Sequence, residues 1–261
     1  MNEKICVVGL GEIGKEVFKE ISKTKGKENV FGVDINKEVL KDFLEKGYSV
    51  GEVAPKSDVY IICVYLTNQV EKVINSLDLS LNPLISIDST ILPGTSKKVI
   101  EWKQKEKREF DYVLFPHRFN PSDSKHHIFN LDRIMGAEND KALKRALNFF
   151  SQFMDIKNIH TFSLEITELS KPVENAYRFM EIAIAEQLKM SCEKKGISFE
   201  DLRTAASTKW NINILEAREG ISGKCLPKDT QLINEFFLDN DLFKAGFEFN
   251  EKYMEWLKEK N

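Results

Sequence analysis

Cys225 stands in the run Gly223-Lys224-Cys225-Leu226-Pro227-Lys228-Asp229, and its neighbours are those a covalent catalyst needs. The glycine lets a substrate approach the sulfur, and nearby cations supply the field in which thiols become nucleophiles. Lys228 and Asp229 follow close behind it. Beside a nicotinamide cofactor, such a cysteine can take an alcohol past the aldehyde to the acid, because the sulfur holds the aldehyde for a second oxidation.

A cofactor cradle is legible at the other end of the chain. Residues 4–8 read as a short buried strand, Gly9-Leu10-Gly11-Glu12-Ile13-Gly14 follows, and a helical pattern then runs through Ile21. In G-x-G-x-x-G the first glycine makes the tight turn, the second admits a pyrophosphate, and the third lets helix pack on strand. The phosphates would sit over Gly9, Gly11, Glu12, Ile13 and Gly14, on the free N–H groups of a helix N-terminus. A second strand ends at Asp34, twenty residues after Gly14. A carboxylate there accepts hydrogen bonds from ribose hydroxyls and repels a 2′-phosphate, which favours NAD over NADP. The same cradle can hold the adenosine of S-adenosylmethionine, so methyltransferase chemistry or a binding module is the alternative.

Further apolar runs at 58–64, 83–88, 112–115 and 133–136, with helical stretches between several of them, predict an α/β fold. They predict a Rossmann-type, doubly wound parallel sheet over residues 1–162. Ligands bind at the carboxyl ends of such strands. Those ends carry Val64, Thr67, Ser89, Thr90 and Pro116-His117-Arg118, of which the first four are expected on the cofactor. From about residue 163 strand signals stop, and an all-helical domain is expected over 163–261. Its spine is one long helix, Ile166 to Lys195, with Pro172 near its start, where proline is tolerated. Lys171 and Asn175 lie four apart and share a helix face. Shorter helices are expected at Phe199–Thr208, Asn211–Glu219, Asp229–Asn240 and Asp241–Lys258, with residues 220–229 as a loop. An unpaired amphipathic spine would expose apolar surface, so a homodimer is expected.

Composition narrows the partners. A net charge of −3 with 30% charged residues argues against a nucleic-acid binder. No apolar run approaches the ~20 residues that span a bilayer. Cys6, Cys63, Cys192 and Cys225 lack metal-ligand spacing or a disulfide framework, which predicts a reducing, cytoplasmic setting. His126-His127 has no third ligand nearby, so no metal site is expected.

Together these segments resemble the UDP-glucose/GDP-mannose dehydrogenase family of NAD-dependent nucleotide-sugar 6-dehydrogenases. The resemblance rests on Gly9–Gly14 with Asp34, on Asp88-Ser89-Thr90-Ile91-Leu92-Pro93-Gly94-Thr95, on Lys171-Pro172-Val173-Glu174-Asn175-Ala176-Tyr177-Arg178 and on Gly223–Thr230. It implies that Cys225, partly buried, is the nucleophile and that Lys171, helped by Asn175, stabilises the oxyanion. It implies that Asp229 positions a water and joins a proton relay, and that Thr90 orients that water. It also implies a nucleotide-sugar substrate and a homodimer. The family carries a third, C-terminal domain that grips the substrate's nucleotide, and this chain reads as a short form that stops about where the linker to that domain would begin. Two positions depart from the family pattern. Ser222 breaks the glycine pair before the cysteine, and His117 stands where the family has a catalytic glutamate. His117 then reads as a replacement acid/base, a ligand to a different substrate, or a loop histidine without a role. The β-hydroxyacid dehydrogenases share the glycine loop and a Lys-x-x-x-Asn helix, so a single two-electron oxidation without Cys225 is a further alternative.

Overall fold

Alternate residues of the buried strands face opposite sides of one sheet. In β1 (Ile5–Val8) and β4 (Val59–Ile62), residues Ile5, Val7, Val59 and Ile61 join one core, while Cys6, Val8, Tyr60 and Ile62 join the other. Burial on both faces turns the usual alternation into continuous apolar runs. The computed structural model describes residues 3–119, 123, 125–223, 225–237 and 241–260. They belong to two compact units, Met1–Lys171 and Pro172–Asn261.

The first unit adds β2 (Val30–Val33), β3 (Ser49–Gly51), β5 (Leu84–Ile87), β6 (Asp111–Leu114), β7 (Arg133–Ala137) and β8 (Ile159–Phe162). The sheet order is β3-β2-β1-β4-β5-β6-β7-β8. Five helices cover it: α1 (Glu12–Lys25), α2 (Lys37–Glu45), α3 (Thr67–Ser76), α4 (Thr95–Lys105) and α5 (Asp140–Phe150). On one face Val17, Phe18 and Ile21 of α1 pack with Phe149 and Phe150 of α5. On the other, Val70 and Ile74 of α3 pack with Val99 of α4. Asn36 and Asn139 cap α2 and α5 by accepting from Glu38 N and Ala142 N.

The expected doubly wound sheet is present and mostly parallel, with one antiparallel pairing. β7 runs antiparallel to β6, with Val113 opposite Ala137 and Leu114 opposite Gly136. Parallel returns usually cross over through a helix, and the described residues between these strands form none. β3 and β8 escaped the sequence reading because β3 is only three residues long and β8 is exposed at three of its four positions.

In the second unit the long helix α6 is observed as Leu164–Lys194, with its first residues in the first unit. α7 (Phe199–Ala206) is capped by Ser198, and α9 spans Asp241–Lys260. Two helix expectations fail here. Residues 211–219 form no helix. Instead Ile214, Leu215 and Ala217 pack irregularly onto Ala185, Cys192 and Phe199. The β-branched Ile212 and Ile214 weaken helix formation there. The next helix, α8, is Cys225–Phe236, so it begins at the cysteine and not at Asp229. Pro227 lies in its first turn, where the missing N–H costs nothing. Lys224 and the expected helix end at Asn240 lie outside the described residues, as do Asn120 and Pro121.

Candidate functional site

The glycine loop is shaped by contacts that exclude side chains. Gly9 has φ +91°, and a Cβ there would lie 2.7 Å from the Cys63 carbonyl oxygen. A Cβ on Gly14 would lie 1.7 Å from the Gly9 oxygen. Gly11 differs, because nothing lies within 4 Å of the position its Cβ would take. That open space faces the start of α1, whose first amides have no side-chain cap. Open room beside uncapped N–H donors fits a dinucleotide pyrophosphate. Asp34 is tied to the same loop, with Oδ2 accepting from Leu10 N at 2.6 Å and Oδ1 from Asn36 N at 2.8 Å.

The expected cofactor residues on β4 and β5 interlock at the strand ends. Ser89 Oγ donates to the Val64 carbonyl at 2.7 Å, and Thr67 Oγ1 accepts from Leu92 N at 3.1 Å. Half-buried Thr90 lies between these ties.

Behind the loop is a buried polar cluster whose composition the sequence did not disclose. Asp88 Oδ1 accepts from Ser86 Oγ at 2.7 Å, and Oδ2 accepts from Arg133 Nη2 at 2.9 Å. The Arg133 guanidinium also donates to the Phe115 carbonyl and stacks 3.5 Å from the centre of the Phe115 ring. His117 is no loop residue in water: it is buried, with Nε2 2.8 Å from Asp88 Oδ2 but off a hydrogen-bond line. Its Nδ1 has no hydrogen-bond partner among the described residues. Burial first, then the Arg133 and Lys171 cations, push the His117 pKa down to about 4, against the opposing pull of Asp88. Near neutral pH its imidazole is uncharged. Burial alone would raise the Asp88 carboxyl, but Arg133 and His117 outweigh it and hold it below the usual carboxylate range.

In the second unit, Asn175 Nδ2 donates to Asp229 Oδ2 at 2.5 Å, and Lys228 Nζ lies 3.2 Å from Oδ1. Asp229 is buried, whereas Cys225 is exposed and not partly buried. The segment leading to the cysteine is strapped down. Tyr253 Oη donates to the Arg218 carbonyl at 2.9 Å, and Asn250 Oδ1 accepts from Ile221 N at 2.8 Å. Beside the strap Glu186 is fully buried, and burial, against the pull of Lys189 and the Gly220 amide, raises its pKa to about 7. Among the described residues no group of His, Cys, Asp and Glu could hold a metal ion, and no helix is long and apolar enough to cross a membrane.

Fold and loop define a class, the dinucleotide-binding α/β proteins with a helical second unit. The NAD binding domain of the UDP-glucose/GDP-mannose dehydrogenase family matches residues 48–154, and that family's central domain matches residues 165–252. The chain belongs to the UDP-glucose/GDP-mannose dehydrogenase family. Residues 1–83 also match the NAD binding domain of D-isomer specific 2-hydroxyacid dehydrogenases. The cofactor is therefore NAD, and the S-adenosylmethionine alternative gives way.

Among relatives, a UDP-N-acetyl-D-mannosamine dehydrogenase of Methanocaldococcus jannaschii is 26% identical, covering 100% of this chain and 68% of that protein. Another, from Methanococcus maripaludis, is 27% identical over 95% of this chain and 65% of that protein. The chain thus spans about two thirds of the length of the curated relatives it matches. The solved UDP-D-ManNAc dehydrogenase of Pyrococcus horikoshii aligns with a TM-score of 0.82 at 25% identity, over 96% of this chain and 68% of that one. A 3-hydroxyisobutyrate dehydrogenase of Mycobacterium tuberculosis shares the fold, with a TM-score of 0.74 at 17% identity over 97% of this chain and 94% of that one.

Proposed function

We propose that this chain is an NAD-dependent dehydrogenase that oxidises a primary alcohol of a nucleotide sugar to the acid through a thioester on Cys225. The observation that carries the reading is the Asn175–Asp229 hydrogen bond. It joins two residues that the resemblance assigns to the reaction, one of them on the helix that Cys225 begins. The substrate class rests on relatives named UDP-N-acetyl-D-mannosamine dehydrogenases.

Each residue has a task in this reading. Cys225 Sγ bonds to the aldehyde carbon formed by the first oxidation, and that bond breaks when a water oxygen replaces it. Lys171 and Asn175 donate to the oxygen that gains charge, and one such donor is typically worth ~3 kcal/mol. Resemblance to the family assigns the ordering of that water to Asp229, which Asn175 orients, and to Thr90. Alcohol to acid removes four electrons, so each sugar consumes two NAD and one water. Bound NAD accepts two of those electrons in each oxidation. Buried His117 lies against Asp88 without a hydrogen bond to it, and this reading gives it no step of its own. Exposed Val173, Tyr177 and Ile184 recur along α6 and support a homodimer. The scattered free cysteines support a cytoplasmic setting.

His117 favours a second reading, because an uncharged imidazole stands where the family has its glutamate. The reaction would then stop after one two-electron oxidation, with Lys171 taking the proton and Cys225 idle. Counting reduced NAD per limiting UDP-N-acetylmannosamine separates the two. Two per sugar, abolished by Cys225→Ala, supports the first reading. One per sugar, untouched by that change, establishes the second, and no reduction with this or UDP-glucose sinks both.

A further inference from the structure

We infer that Glu168 is a positioning residue, which holds the loop bearing Thr90 in register with the helix turn bearing Lys171. The inference rests on the proposed function for the roles of those two residues, and on the geometry of the first unit for everything else.

Glu168 lies on α6 and is 4% exposed. Its Oε2 accepts from Gly94 N and its Oε1 from Ser96 N, both at 2.6 Å. These amides open α4, across 74 and 72 residues of sequence. Helices are normally capped by the residue preceding them, in extended backbone, as Asn36 and Asn139 do here. Gly94 precedes α4 but has φ +86° in the left-handed region and no side chain. A local cap is geometrically absent, and the carboxylate that supplies one comes from the lysine helix. It also complements the positive end of α4.

The consequence is a loop fixed at both ends. Ser89 and Leu92 are tied to Val64 and Thr67, and Gly94 and Ser96 are tied to Glu168. Thr90 sits between, next to Ile91, which is buried in the core. Glu168 precedes Lys171 by three residues, so one turn of α6 carries both the clamp and the amine. A shift of α6 along its axis would drag the Thr90 loop with it.

The test uses the full chain and compares Glu168→Gln, Thr90→Ala and the double variant. Glutamine replaces one acceptor with an N–H donor that faces an amide. Amide hydrogen exchange over residues 89–96, without substrate, is expected to quicken about tenfold in Glu168→Gln, with β1 unchanged. Turnover should fall about tenfold or more, with the KM for NAD held within about twofold. The double variant should be no slower than the slower single one, because both act through the same threonine. Unchanged exchange over 89–96, or losses that multiply, would overturn the inference. Should Glu168→Gln be recovered unfolded, Glu168→Asp keeps the charge with a shorter reach. Faster loop exchange in that variant at wild-type melting temperature supports the role, and wild-type exchange overturns it. A wild-type chain inactive on every nucleotide sugar sinks the proposed function, while the exchange result still decides whether Glu168 clamps the loop.

Discussion

Asn175 and Asp229 are 54 residues apart in sequence and 2.5 Å apart in space, and the carboxylate of the pair is buried. Removing the amide leaves that carboxylate without its neutral donor. Asn175→Ala is expected to lower kcat about tenfold to a hundredfold while the chain stays folded. Steady-state kinetics beside a melting curve checks both halves of that statement.

The glycine loop predicts two different failures. Gly14→Ala forces a methyl onto the Gly9 carbonyl and should unfold or severely destabilise the first unit. Gly11→Ala meets nothing in the protein, so its melting temperature should stay near wild type. Its methyl occupies the room left for pyrophosphate, and NAD affinity should drop at least about tenfold by calorimetry.

Asp88 and Arg133 form a buried pair, and a buried cation left without its partner costs about 3–5 kcal/mol. Asp88→Asn should therefore lower the melting temperature by about 10 °C, a loss that added salt does not restore.

His117 makes stability depend on acid. An unfolded chain takes up this proton near the ordinary 6.5, while the folded residue resists until about pH 4. The unfolded state binds more protons between those values, so stability rises with pH across the window. The term is on the order of 3 kcal/mol when complete. In His117→Gln the gap in melting temperature between about pH 5 and about pH 7.5 should narrow.

Glu186 has the opposite sign. Its folded pKa is raised from 4.5 to about 7, so the folded state holds a proton that the unfolded chain has released. Stability is then lost as pH rises from 4.5 through about 7. Lys189 on the same helix and Tyr253 on α9 are the ionisable groups coupled to it. Glu186→Gln should raise the melting temperature by a few degrees at about pH 8 and change it little at about pH 4.5.

Much of the fold was legible because buried parallel strands write themselves as unbroken apolar runs, and because G-x-G-x-x-G has a strand before it and an acid at the right distance after it. Strand direction is not written that way. The run Arg133–Ala137 looks the same whether it lies parallel or antiparallel to its neighbour. The candidate site was legible where residues sit within one turn of each other, as Lys171 and Asn175 do. It was illegible where the partner comes from far along the chain: Arg133 on Asp88, Glu168 on Gly94. A lone charged residue inside an apolar run carries no mark of its counter-ion. The helix expected at 211–219 and not formed shows the converse, since apolar spacing that suits a helix also suits an irregular segment packed on a ready-made surface.

Four cysteines are spread along this chain, yet Cys225 is the exposed one. Cys6 and Cys192 are buried, Cys63 is half-buried, and burial pushes the thiols of Cys6 and Cys63 up. The native protein thus offers a single ready attachment point. A maleimide dye should couple once per folded chain and four times in denaturant, reporting on the segment that carries the sulfur without a mutation to install it.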